Sequence, residues 1–285
     1  MSKTSLDMPS ATALTDLSRL CIHTITTKPW TIEESISNYA KAGVAGISVW
    51  REALEGRDLN EIKHSIAAAG LTTVSYVRGG FFPSHKPADR QKALVENRTI
   101  IEEAKMLGAP LVVLVCGADP EQSLEDSAKQ IEESISDLLP FAEEAGIKLG
   151  IEPLHPQYAD TRSAIVTLEQ ANDLVERINN PYLGIVLDVY HVWWDPHLKR
   201  EIKRCVTNGN LMAFHVCDWR VPTRDALNDR ALMGNGCINI PEIRAQIESL
   251  GYYGFIEVEI FSTEHWASDQ GQFLDEIITA YKSHV

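Results

Sequence analysis

Positive charge is in short supply in this sequence. Its 285 residues hold 26 Lys and Arg against 40 Asp and Glu, a formal net charge of −14 with a pI near 5.1. No basic cluster interrupts that excess, so a face for nucleic acid is not expected. Long apolar runs are also missing: none nears the ~20 residues of a spanning helix, so no membrane segment is expected. The opening stretch lacks the continuous apolar region of a secretory signal. Cysteine is sparse and unpaired. Cys21, Cys116, Cys205, Cys217 and Cys237 are odd in number and form no CxxC. They read as reduced, mostly buried thiols of a cytoplasmic protein. Neither GxGxxG nor GxxxxGK occurs, which removes the usual phosphate loop of a doubly wound sheet.

What is present is a repeated alternation. Apolar residues make up 44% of the chain, enough for a substantial core. Short apolar runs at 19–24, 46–50, 71–77, 111–116, 148–152, 182–188, 211–216 and 255–260 read as strands. Amphipathic stretches at 30–42, 59–69, 87–107, 124–145, 167–178, 196–206, 241–250 and 270–281 read as helices. Several helices stop at a glycine or an Asn-Pro turn and lead straight into a strand. Eight such pairs predict an α/β fold of one domain, a (β/α)₈ TIM barrel over residues 19–285. Residues 1–18 read as an N-terminal arm, and 218–239 as a long polar loop.

Chemistry gathers at the ends of the last four barrel strands. Glu152 ends the fifth, Asp188 the sixth, His215 nearly ends the seventh, and Glu259 nearly ends the eighth. Taken singly, each has an ordinary reading: a carboxylate there can cap a helix, and a lone histidine such as His23 or His215 can be a bonded core residue. Consecutive barrel strands are neighbours, however, so the four side chains should ring one side of a single mouth. Three carboxylates that close repel unless something positive lies between them. Oxygen donors with one imidazole suit one divalent ion: Mn²⁺ first, then Mg²⁺, Co²⁺ or Zn²⁺. Cys217 reads as a wall residue. Glu257 shares a strand face with Glu259 and should lie one layer deeper, paired with a base such as Arg19.

Further groups surround the expected ring. His155 and His191 follow Glu152 and Asp188 by three residues. Asp218, Arg220 and Arg224 follow His215, and Arg78 follows the third strand. Such mixtures hold polyols; the alternative for Arg220 and Arg224 is a loop ion pair with Asp218, Asp225 or Asp229. Trp30, Trp50, Trp193, Trp194, Trp219 and Trp266 all fall near strand ends, where flat rings can stack on a sugar or an attached aromatic group.

The motifs IEPL, LDVYH, FHVCD and EVEIF carry a resemblance. The chain resembles the sugar isomerase/epimerase superfamily whose barrels look like those of xylose isomerase and endonuclease IV. It looks like the ketose 3-epimerase and inosose dehydratase type within it. The resemblance implies that Glu152, Asp188, His215 and Glu259 hold the metal. It also implies that Glu152 and Glu259 exchange a proton with the carbon beside a ketone, and that His191 and Arg220 hold substrate oxygens. One departure stands out: those epimerases carry a further glutamate after the first, where this chain has Tyr158. His155 is a substitute at that corner. The tryptophan-rich rim, Trp193 and Trp194 included, also resembles catalytic subunits that cleave C-glycosides with a small partner subunit. The expected activity is a metal-dependent isomerase or epimerase of a keto sugar or keto polyol, with a β-eliminating lyase as the alternative. A sugar-binding barrel without catalysis would not need three repelling carboxylates. A free sugar is expected, since no phosphate cradle is visible. Either a homodimer or a hetero-subunit partner is compatible with the sequence.

Overall fold

The computed structural model describes residues 13–285; most of the expected arm lies outside them. The elements run β1 (Leu20–His23), α1 (Ile32–Lys41), β2 (Gly46–Trp50), α2 (Leu59–Ala68), β3 (Thr72–Gly80), α3 (Pro87–Leu107), β4 (Leu111–Val115) and α4 (Leu124–Ala145). Then come β5 (Lys148–Ile151), α5 (Leu168–Ile178), β6 (Leu183–Asp188), α6 (Val189–Val192), α7 (Leu198–Thr207) and β7 (Leu211–Val216). The chain ends with β8 (Asp218–Trp219), β9 (Arg230–Ala231), α8 (Ile240–Ser249), β10 (Ile256–Val258), α9 (Thr263–Trp266) and α10 (Gln270–His284).

Eight parallel strands close in the order β1-β10-β7-β6-β5-β4-β3-β2, the barrel expected from the alternation. The helices start where local chemistry directs. Thr31 and Glu34 form a capping box on α1, and Thr167 with Gln170 form another on α5, each pairing exposed backbone donors with side-chain acceptors. The main core lies between strands and helices. A smaller cluster, Trp50, Val77, Leu111, Val113, Val186 and Ala213, fills the barrel interior. No helix of the described residues is long and apolar enough to cross a membrane.

Two departures from the sequence reading shape the mouth. The 218–239 loop is not featureless, because β8 and β9 pair antiparallel, Trp219 opposite Arg230. The fold there is held by Asp218. Its two carboxylate oxygens accept from the backbone N–H groups of Trp219, Gly234, Gly236 and Ile238 at 2.8–3.0 Å. The third strand runs three residues further than its apolar pattern, to Gly80. Its register with β4 slips between Val77 and Gly79, leaving Arg78 as the extra residue, and such a bulge re-aims a side chain. Gly80 has φ +108°, and a Cβ there would stand 2.0 Å from the Val115 carbonyl oxygen, so only glycine fits.

Candidate active site

The ring starts from register. Asp188 pairs with His215, and His215 with Glu257, across β6, β7 and β10. Glu152 and Glu259 each stand one or more residues past the end of their strands. One donor atom from each of Glu152, Asp188, His215 and Glu259 lies within 4.8 Å of the others, and all four residues are buried. Glu152 Oε1 and both ring nitrogens of His215 have no hydrogen-bond partner, although His215 Nδ1 approaches Glu152 Oε1 to 3.2 Å. Buried polar atoms without partners are costly. Three carboxylates and one imidazole converging on the same point, with unfilled valence, fit a divalent cation.

A polar layer supports the ring from inside the barrel. Glu257 Oε2 accepts from Ser48 Oγ at 2.6 Å and lies 3.1 Å from His23 Nε2 and 3.7 Å from His215 Nε2. The expected pairing with Arg19 does not form. Arg19 instead grips Glu248 and the Gly254 carbonyl, because it lies outside the barrel and Glu257 inside. A carboxylate behind the far nitrogen of His215 leaves Nδ1 facing Glu152 and Glu259, the arrangement that orients a metal-binding imidazole. His23 bridges the two glutamates, with Nδ1 3.1 Å from Glu259 Oε1.

The cation at the ring is Arg230. Its Nη1 donates to Asp188 Oδ2 and Glu259 Oε2, both at 2.9 Å, and its plane packs against Tyr190 and Phe261. Arg220, by contrast, faces Asp229 and Glu264. Arg224 joins the same pair of carboxylates. The loop ion pair considered for Arg220 and Arg224 is what forms, and the guanidinium at the ring comes from β9. No sequence signal marked Arg230, which lies in a loop pattern fifteen residues beyond His215. His23 did carry a signal, a strand end beside that of the eighth barrel strand.

His191 Nδ1 accepts from the backbone N–H of His155 at 3.2 Å, which places the ring proton on Nε2. Nε2 then faces Arg230 Nη2 at 3.2 Å, donor towards donor, with Asp188 Oδ2 3.6 Å away. His155 sits against Trp219 and Trp194, with ring centroids 4.8 and 5.8 Å apart. Trp193 packs on Trp219 at 5.6 Å, and Trp194 Nε1 donates to the His191 carbonyl. Trp30, Trp50 and Trp266 stand across the mouth, lining a separate cavity with Arg78. Asp218, expected near the substrate, has both oxygens committed to the backbone.

Electrostatics divide the carboxylates. Burial pushes Asp188 up to about 7, with Arg230 pulling the other way. Burial works to raise Glu259 too, but His23 and Arg230 outweigh it and hold that carboxyl well below its usual range. The difference is one of neighbours: Glu259 lies against His23, His215 and Arg230, and Asp188 against Arg230 and a neutral His191. For His215, burial disfavours the charged ring, yet Glu257, Glu152 and Glu259 lift it to about 10. Burial, then Arg230, hold His191 well below its ordinary value and therefore neutral. Burial alone lowers His155.

Known proteins share this architecture. A protein of Sinorhizobium meliloti 1021, SMc04130, superposes with a TM-score of 0.91 at 37% identity, covering 94% of this chain and 99% of that one. The zinc-bound IolI protein superposes at 0.82 with 20% identity, covering 92% and 96%. The inosose isomerase of Halalkalibacterium halodurans is 25% identical over 219 residues, 75% of this chain and 76% of that protein. Residues 36–277 match the family described as xylose isomerase-like TIM barrel, and the chain belongs to that family.

Proposed function

We propose that this protein is an isomerase or epimerase of a keto sugar or keto polyol, working with one divalent ion and moving a proton on the carbon beside the ketone. The observation that carries this reading is the buried ring itself: four donors on consecutive strand ends, with Glu152 Oε1 and the His215 nitrogens unpartnered. Glu152, Asp188, His215 and Glu259 would hold the ion, Mn²⁺ first by its oxygen-rich donor set. When bound, it would make the α-proton more acidic by polarising the ketone.

The residues divide the remaining work. Glu152, with a carboxylate oxygen no protein group occupies, takes the α-proton. Charge then passes to the ketone oxygen as an enediolate forms. His191 Nε2–H and Arg230 Nη2–H point at one another across 3.2 Å, and a substrate oxygen accepting from both would relieve that opposition. Arg230 takes the oxygen-holding role expected of Arg220. Glu259, kept ionised at rest by His23 and Arg230, would take a proton from solvent and pass it to the opposite face of the carbon, which inverts it, while Glu152 gives its proton up to solvent. The inosose isomerase among its relatives supports a polyol ketone as substrate. A lyase reading is favoured by His155, set between Trp194 and Trp219. There it can protonate a leaving group held against the rings.

The test is proton exchange. Mn²⁺-loaded protein incubated in D₂O with ketohexoses, inososes and 3-keto glycosides should introduce deuterium beside the ketone, read by NMR and mass spectrometry. An intact, inverted sugar marks the epimerase, and loss of water or aglycone the lyase. Glu152→Gln should lower exchange about a hundredfold or more. Exchange absent from every substrate, with metal shown bound, would overturn the reading.

A further inference from the structure

A cavity of about 700 Å³ opens beside the ring, at the C-terminal ends of β1–β3. It shares two walls with the ring. Trp50 Nε1 reaches His23 Nδ1 at 3.2 Å, and the Phe261 ring lies 4.9 Å from the Arg230 guanidinium carbon. A larger cavity, about 1000 Å³, opens at the other end of the barrel, past the strand starts. It lies away from the donor set, touching the polar layer only at Glu257.

The smaller cavity has a cationic excess in an acidic protein: Lys28, Arg57, Arg78 and Arg162 line it against Glu52 and Glu55. Arg78 and Arg162 both line it, and neither makes an ion pair or side-chain hydrogen bond among the described residues. Arg78 lies over the rings of Phe81 and Trp50, and Arg162 over Tyr158. Elsewhere arginines grip carboxylates in multiples: Arg51 holds Glu96 and Glu103, and Arg204 holds Asp173, Glu176 and Glu201. The two cavity arginines also feel each other. Burial pulls Arg78 down from its ordinary value, Glu52 opposes that, and Arg162 adds to it. Two partly buried guanidiniums facing one space repel, and an oxyanion between them would relieve the repulsion with charge-assisted bonds. The bulge at Arg78 is the local device that turns this side chain to the mouth.

We propose that Arg78 and Arg162 form a receptor for an anionic group, a carboxylate or a phosphate ester, at the end of the substrate remote from its ketone. This rests on the functional reading above and narrows its substrate class from a free sugar to a keto sugar acid or keto sugar phosphate. The aromatic walls Trp50, Phe261 and Trp266 would carry the carbon chain between the two ends.

The experiment measures binding rather than turnover. D-Fructose, D-fructose 6-phosphate and 5-keto-D-gluconate are titrated calorimetrically into the Mn²⁺-loaded full chain. At least one anionic probe should bind about tenfold or more tightly than fructose, the worth of one charge-assisted bond. Which anion does so identifies the carboxylate or the phosphate. Arg78→Gln and Arg162→Gln should each remove most of the gap, with metal content and circular dichroism unchanged. Arg78→Lys should keep part of it, separating charge from folding. Equal affinity for neutral and anionic probes, a gap that survives both glutamine variants, or no binding of either anion at millimolar concentration overturns the proposal. Exchange on fructose without an anion preference sinks this inference alone. Anion binding without exchange on any substrate sinks the enediolate chemistry and leaves the receptor standing.

Discussion

At the scale of single residues, the site is a problem in buried charge. Glu152, Asp188, Glu257 and Glu259 lie together out of water, and Arg230, His23 and His215 offset them. Because its carboxylate neighbours raise His215 to about 10, the ring holds a proton at neutral pH that a metal must displace. Metal uptake at pH 7 should therefore release a proton. Affinity should rise with pH towards that value; as pH falls it should weaken about tenfold per unit above pH 7 and more steeply below, where Asp188 also takes up a proton. Calorimetry in two buffers of different ionisation enthalpy reads the released proton directly, and uptake without release would contradict this. Arg230→Met should cost the metal-free protein about 3 kcal/mol in urea unfolding, since Asp188 and Glu259 lose their shared cation. A loss below ~1 kcal/mol would make the contact no better than a surface ion pair. Of these residues, Glu152, Asp188, His215 and Glu259 were legible in the sequence because each ends or nearly ends an apolar run. Arg230 was not, since its place depends on how a loop folds back over the barrel.

Elements matter here by aiming those residues. The β8–β9 ribbon brings Arg230 back over the ring, and the Asp218 carboxylate fastens it through four backbone donors. Asp218→Ala should leave those N–H groups without an acceptor, at about 3 kcal/mol or more in total. Limited proteolysis should then cut within 219–237 before the barrel unfolds. Cleavage no faster than in the native chain would show that the ribbon is held by other contacts. On β3, Gly80→Ala meets both a positive φ and the Val115 carbonyl. It should destabilise by about 2 kcal/mol or more, read by denaturant midpoint, and disturb the neighbouring Arg78. The sequence marked Asp218 as a substrate group because it follows His215 by three residues, in a mixture of charged side chains of the kind that holds polyols. Only the folded loop shows that its lone pairs are spent on backbone.

For the whole molecule, the barrel brings donors from residues 152 to 259 into one buried point, so cation binding should act on global stability. At a free ion concentration about a hundredfold above Kd, the gain is about 2.7 kcal/mol, or roughly 5 °C in a chain of this size. Thermal unfolding with and without Mn²⁺ measures it, and an unchanged midpoint under saturation would show that the ring does not take the ion in the native state. The sequence by itself determined the barrel, because strand and helix periodicities and chain breaks are local and were repeated eight times. It determined that Glu152, Asp188, His215 and Glu259 converge for a related reason: consecutive strands of a closed barrel must be neighbours, so order along the chain becomes position around the mouth. The tertiary structure alone decided which cation serves the ring, why Glu257 answers to His23 and not to Arg19, and that Arg78 and Arg162 share a cavity with neither paired to a carboxylate among the described residues. Those facts depend on loop conformation, on inside versus outside of a strand, and on approaches between residues 84 positions apart, none of which a local pattern encodes.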